Sequence, residues 1–347
     1  MTEKKKKVWI DTDPTFGDPN GDCDDGYCII ALKHADNIEV VGTSPVYGNT
    51  TTANAYAKLR DLKDKFYPEL PISIGAEDAL ALNNHKKEDA AIKTLDSPAV
   101  DAMAEALQAL DDDEKLTICA IGSMVNVATL LIMHGDLVDK IESVVVVAGR
   151  YSYTQQFKFG TNPGGIFRDL NFDVDPVAFY TLLNAPVKTV LAGVEVAQTM
   201  WIYDTDLDLF KKDGTADIAY MAEQSAGWLA LWESFGNEID HPEVPIHGFH
   251  PFDLFAGGFI IDPDWFEGEY RVASAPVHAD DTIDDAAANG NYKPYLVAPP
   301  DTKIDTPTDP DEEQALATTP NVVYYLKTAT KVYKKAMIQL LLKPEKG

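Results

Sequence analysis

The chain has 347 residues, with 29 Lys and Arg against 56 Asp and Glu, a formal net charge of −27. Hydrophobic residues make up 45% and aromatic residues 10%, enough for a large core, which excludes global disorder. Nucleic acid is excluded as a partner class, because its binding draws on Lys and Arg contacts that displace counterions. Three cysteines, Cys23, Cys28 and Cys119, form no paired framework and no CxxC, so neither a disulfide scaffold nor a zinc ribbon is indicated, and a reducing, cytoplasmic setting is expected. The lysine-rich N-terminus runs into Asp11 instead of a signal-peptide core, and the longest apolar run, 252–261, is far short of the ~20 residues of a membrane span.

Short β-branched runs alternate with helix-like segments along the first 200 residues. Strands are predicted at 8–10, 38–41, 71–74, 116–121, 143–147 and 187–191, and their continuous apolar character marks strands buried on both faces. Helices are predicted between them at 25–34, 51–62, 100–110 and 124–133. The expected fold is α/β: a doubly wound, mostly parallel central sheet flanked by helices, with a Rossmann-like core, in a single domain over 1–347. Further on, 216–235 reads as one long helix and 251–261 as a shorter one. The acidic, Pro-rich stretch 279–313 reads as an exposed loop within the domain, and 321–342 as a final helix with apolar residues at Val322, Leu326, Ala329, Val332, Ala336 and Leu340.

In a parallel α/β sheet ligands bind at the carboxyl ends of the strands, and the residues that follow these runs are polar. They include Asp11-Thr-Asp13-Pro14, Asp22-Cys-Asp24-Asp25-Gly26, Tyr47-Gly-Asn49-Thr50, Gly122-Ser-Met-Val-Asn126 and Pro251-Phe-Asp253. Asp13, Asp24, Asp25 and Asp253 in one cleft would repel by several kcal/mol per pair at ~4 Å and an effective dielectric near ~20, so a cation belongs among them. Oxygen-only ligands select Ca²⁺ or Mg²⁺ over Zn²⁺. The plainer alternative has Asp24 and Asp25 capping a helix and Asp11 closing a turn. An EF-hand is excluded, since the loop from Asp18 lacks the required Gly and carries Ile29 where the bidentate Glu belongs. Neither of the common Gly-rich phosphate cradles is present.

Two enzyme readings follow. Asp11-Thr-Asp13-Pro-Thr15 resembles the DxDx[TV] opening of haloacid-dehalogenase-type phosphatases, with Asp11 as nucleophile and Asp13 as acid/base. Six ordered segments resemble the inosine-uridine nucleoside hydrolase family instead. Ile10-Asp-Thr-Asp-Pro14 with Asp24-Asp25-Gly26 looks like its DxDPGxDD signature, and Val40 to Asn49 like its second strand. Thr117 to Asn126 looks like its TGPLTN segment, Val145 to Gly149 like its MGG strand, Asp169 to Pro176 like EFNxxxDP, and Phe252 to Ala256 like HDxxA. A third possibility is a non-catalytic Ca²⁺-dependent ribose- or nucleoside-binding protein that has kept the site.

The family resemblance implies a Ca²⁺-dependent hydrolase that cleaves the N-glycosidic bond of ribonucleosides to base and ribose. It implies that Asp13 binds the metal and acts as general base, that Asp25, Asp253 and the Ile121 carbonyl complete the metal shell, and that Asp24 binds ribose hydroxyls. Asn49, Asn162, Asp169 and Asn171 would hold the rest of the sugar, and a homodimer or homotetramer is implied. Independently, cleavage at C1′ passes through an oxocarbenium-like state that carboxylates stabilise. Three departures stand out. Ten residues separate Asp13 from Asp24 where the signature has three, so the 16–23 loop must bulge out and return. Asp169 replaces a Glu. Phe252 stands where many members carry the His that protonates the base, leaving His250, His247 or His85 as the acid, or stacking on Phe252, Trp201, Trp228 or Trp232 in its place.

Overall fold

The computed structural model describes residues 4–80, 96–162, 166–239 and 241–343. Seven strands form the central sheet: β1 (Lys6–Thr12), β2 (Ile38–Pro45), β3 (Leu116–Ala120), β4 (Ile141–Val146), β5 (Thr189–Leu191), β6 (Phe266–Val272) and β7 (Val322–Ala329). Their spatial order is β6-β7-β5-β4-β3-β1-β2, and every neighbouring pair is parallel except β6 with β7. The apolar runs are buried on both faces, as their lack of alternation predicted. Val8, Ile10, Cys119, Val145 and Val190 face one apolar layer, while Trp9, Ile118, Val144, Val146 and Leu191 face the other. Side chains of successive strand residues point to opposite faces, so one continuous run supplies both layers.

The helices that matter here are α1 (Asp24–His34), α2 (Thr52–Lys65), α3 (Pro98–Gln108), α4 (Val125–Met133), α5 (Pro176–Asn184), α6 (Ala216–Gln224), α7 (Ala226–Glu233), α8 (Phe252–Ile261), α9 (Pro310–Ala317) and α10 (Tyr333–Leu341). Apolar residues of α1, α8 and α10 join the first layer, and those of α3, α4 and α5 the second. This is the doubly wound α/β architecture read from the sequence. The chain passes from β1 to β2 on one side and only later to β3 on the other. That reversal opens a crevice at the carboxyl ends of β1 and β3.

Four expectations need correction. The 321–342 segment is a strand followed by a helix. Val322, Val323, Tyr325 and Leu326 are all buried, and a β-branched and aromatic run buried on both faces lets helical spacing arise by chance. The 216–235 helix breaks at Ser225, whose hydroxyl donates to the Met221 carbonyl at 2.8 Å. The 71–74 run contributes a single bridge, Ile72 to Thr43. The 279–313 stretch is not simply an exposed loop: Tyr295, Leu296, Val297 and Ala298 are buried, Tyr292–Pro294 pairs with Val277–Ala279, and Asp309 caps α9 through the Glu312 N–H. Among the described residues no helix is long and apolar enough to cross a membrane.

Candidate active site

β1 carries Asp11 near its carboxyl end and leads directly into Asp13. Asp11 lies in register with Ser44 on β2 and Ala120 on β3. Its Oδ1 accepts from the Ser44 hydroxyl and, at 2.8 Å, from the Asn126 amide, so Asp11 ties β1 to β2 and α4. Burial pushes its carboxyl up to about 7. Asp13, beyond the strand end, is fully buried, and its Oδ2 accepts the Asn49 N–H at 2.7 Å. A Cβ on Gly48 would collide with that same oxygen, which is why the residue before Asn49 carries no side chain. Asp13 Oδ1 has no donor.

Two helix N-termini meet the strand ends. Asp24 and Asp25 occupy the first turn of α1, and Asp253 the first turn of α8. The Asp253 N–H points at Asp24 Oδ2 at 3.3 Å, and the positive ends of both helices favour carboxylates there. Asp25 Oδ1 accepts from the Thr12 hydroxyl and from the Asp13 N–H at 3.2 Å, while Asp25 Oδ2 has no partner. The carboxyls of Asp13, Asp24, Asp25 and Asp253 are all pushed well above the usual range, first by burial and then by the charges of Asp22 and of one another. Among the described residues no Lys or Arg forms an ion pair with any of them. Buried, mutually repelling, incompletely hydrogen-bonded carboxylates are a set of donors that could hold a hard divalent cation.

Beside this cluster lies a cleft open to solvent. Asp24, Asp253, Asn49 and Ile121 line it on the carboxylate side. Asp169 and Asn171 enter from the segment after β4: the Gly149 N–H donates to Asp169 Oδ2 at 2.9 Å, and the Asn171 amide donates to the carbonyls of Ile121 (3.1 Å) and Val147 (3.0 Å). Burial raises Asp169 to about 6, against the pull of the Arg150 charge. Aromatic rings form the remaining wall, with Phe167 packed 6.0 Å from Trp228 and 6.5 Å from Phe252 between ring centroids.

The structure therefore gathers Asp13, Asp24, Asp25, Asn49, Ile121, Asp169, Asn171, Phe252 and Asp253 at one place. Two expected site residues are elsewhere. Asn162 is exposed, does not line the cleft, and donates to the Ser234 carbonyl at 2.5 Å. His250 is 3% exposed, enclosed by Phe159, Trp201, Trp232 and Phe252, and bound through Nδ1 to the Met200 carbonyl at 2.8 Å. Burial lowers it to about 4, so it is neutral at neutral pH, and it does not line the cleft, packing behind Phe252. His247 is exposed beside Glu233, and His85 lies outside the described residues. Of the candidate stacking rings, Phe252 and Trp228 reach the cleft, while Trp201 and Trp232 pack behind them. Sequence reasoning missed Phe167, for which a ring two residues before Asp169 was a weak signal, and Asp22, whose alternation with Asp24 was tested only as an EF-hand.

A doubly wound sheet whose carboxyl edge sets a buried carboxylate cluster beside an aromatic-walled cleft is the architecture of a small-molecule enzyme site. The chain belongs to the inosine-uridine preferring nucleoside hydrolase family, whose model matches residues 8–319. It is 22% identical over 324 residues, 85% of this chain and 92% of the relative, to the probable uridine nucleosidase 1 of Oryza sativa subsp. japonica. It is 26% identical over 231 residues, 62% of this chain and 69% of the relative, to the pyrimidine-specific ribonucleoside hydrolase RihA of Klebsiella pneumoniae subsp. pneumoniae. Among solved structures, the plant nucleoside hydrolase PpNRh1 superposes with a TM-score of 0.69 at 17% identity, covering 98% of this chain and 99% of that one. The protein is an N-glycosyl hydrolase of ribonucleosides. The phosphatase reading fails on geometry, because its nucleophile Asp11 does not line the cleft and is held by Ser44 and Asn126.

Proposed function

We propose that this enzyme hydrolyses ribonucleosides with Ca²⁺ held by Asp13, Asp25, Asp253 and the Ile121 carbonyl, and with Asp13 as general base. The observation that carries the reading is the pair of buried oxygens without donors, Asp13 Oδ1 and Asp25 Oδ2, beside the cleft. When bound, the ion would orient the attacking water and make it easier to deprotonate. Asp13 takes the water's proton at Oδ1, its Oδ2 being held by the Asn49 N–H. Asp24 accepts hydrogen bonds from ribose hydroxyls, while Asn49, Asp169 and Asn171 hold the rest of the sugar. The carboxylates together stabilise positive charge developing at C1′.

No imidazole faces the cleft among the described residues, so the leaving base is activated by packing against the wall formed by Phe167, Trp228 and Phe252. We further read the protein as a cytoplasmic homodimer or homotetramer. Three free, buried thiols suit a reducing compartment, and the exposed Val277, Ile283 and Tyr292 suit a subunit contact. The test is release of reducing ribose from a panel of uridine, cytidine, inosine, adenosine and guanosine, with and without chelator. Ribose release that needs Ca²⁺ and is lost in Asp13→Ala supports the assignment. Full turnover in Asp13→Ala, or in chelator, would refute it.

A further inference from the structure

The loop between Asp13 and α1 is not a slack bulge. Phe16 in it is 1% exposed, and Asp18 is clamped by Lys58 Nζ at 2.5 Å and Asn54 Nδ2 at 2.8 Å, both on α2. The Gly17 N–H donates to the Gln224 carbonyl at 3.2 Å, with Gly17 at φ +80°, a left-handed turn that a side chain would strain. These ties aim the end of the loop at the carboxylates. Asp22 Oδ1 accepts from the Thr15 hydroxyl at 2.6 Å, and Asp22 Oδ2 from the Asn49 amide. Asn49 donates its backbone N–H to Asp13, so one residue braces both aspartates.

We propose that Asp22 is a further ligand of the divalent cation, sharing the ion with Asp25 across the gap that the loop closes. One oxygen each of Asp22, Asp24 and Asp25 lies within 4.8 Å of the others. Oxygens on opposite sides of one Ca²⁺, each ~2.3–2.6 Å from it, are separated by about that much. A second observation points to a ligand beside this group: Asp25 Oδ2, on a residue of the group, and Oδ1 of Asp13, whose N–H donates to Asp25, are buried and have no donor. Each Asp22 oxygen accepts one hydrogen bond and keeps a further lone pair, so Thr15 and Asn49 orient the carboxylate without saturating it. An added charged ligand tightens calcium binding. It also fastens the 16–23 loop, whose residues Asp18, Pro19 and Asn20 face Trp228 across the outer cleft, to the ion.

This inference rests on the calcium assignment above, and the experiment separates the two. The full-length protein, stripped with chelator, is titrated with CaCl₂ by calorimetry alongside Asp22→Asn, Asp22→Ser and Asp25→Asn. Asp22→Asn keeps an acceptor for Thr15, and Asp22→Ser removes the carboxylate with a smaller side chain, so both test the charge without depending on one fold. The expected result is calcium binding by the wild type, a Kd raised at least about tenfold in both Asp22 variants, and loss of binding in Asp25→Asn. A Kd within about twofold of wild type in either folded Asp22 variant overturns the role of Asp22 and leaves the calcium site standing. Absence of calcium binding by the wild type overturns the calcium assignment, and the role of Asp22 with it.

Discussion

Replacing Asp25 by Asn isolates the electrostatic cost of the site from its hydrogen bonding. The Asn oxygen still accepts from Thr12 and from the Asp13 N–H, and the new amide group replaces the oxygen that has no donor. What disappears is charge. At the 4.8 Å that bounds its separation from Asp22 and Asp24, each ionised pair costs ~3 kcal/mol at an effective dielectric near ~20. Proton uptake limits the total, because protonating a carboxyl of ordinary value 3.8 at pH 7 costs about 4 kcal/mol. With an unfolding entropy of about 2 cal/mol/K per residue, that gain raises the melting temperature by about 4–6 °C for a chain of this length. The sign follows from the raised carboxyl: the wild type loses stability as pH rises above the ordinary carboxylate range, so the advantage of the variant is present at pH 7 and vanishes near pH 4. Differential scanning fluorimetry in EDTA at both pH values reads it. Calcium at ~100 times its Kd should add about 3 kcal/mol to the wild type and nothing to the variant, which should also release no ribose. A variant that melts below the wild type at pH 7 in EDTA refutes the repulsion argument.

Burial raises Asp11 to about 7, Asp22 to about 6 and Asp169 to about 6, so the folded protein holds these protons more tightly than the unfolded chain. Their contribution is complete below about pH 4 and lost as pH climbs through 6 to 7, so calcium-free melting temperature should fall between pH 5 and 7.5 and flatten with calcium; a rise over that range in EDTA contradicts it. His250→Phe should lower stability by ~1–3 kcal/mol, by leaving the Met200 carbonyl without its donor, while turnover stays within about threefold. A turnover loss of ~10²-fold or more in folded His250→Phe would restore His250 as the acid. Gly48→Ala should cut turnover at least ~10-fold with the fold intact, because the added carbon displaces Asp13; unchanged turnover would show that Asp13 tolerates the shift.

The doubly wound sheet and most of the site were legible in the chain because both are written locally. Runs such as 143–147 and 187–191 are apolar at every position, which only a strand covered on both faces needs, and the polar residues that follow mark the carboxyl edge. Asp13, Asp24, Asp25 and Asp253 could be singled out from motif order alone, and the structure brings them together. What tertiary structure decided was burial and direction. A histidine three residues before Asp253 is a plausible acid in sequence, yet a cage of rings and the Met200 carbonyl remove it from the cleft. The 321–329 segment fits helical spacing, yet the gap between β5 and β6 is filled only by a strand. Asp22 has an acidic neighbour in sequence like many residues of this chain. Its meaning comes from Lys58, Asn54 and Gln224, distant residues that bend the loop until the carboxylate faces Asp25. Local pattern sets which elements form, because periodicity and capping act over a few residues. Which polar groups lose water, and which of them meet, depends on contacts between segments hundreds of residues apart.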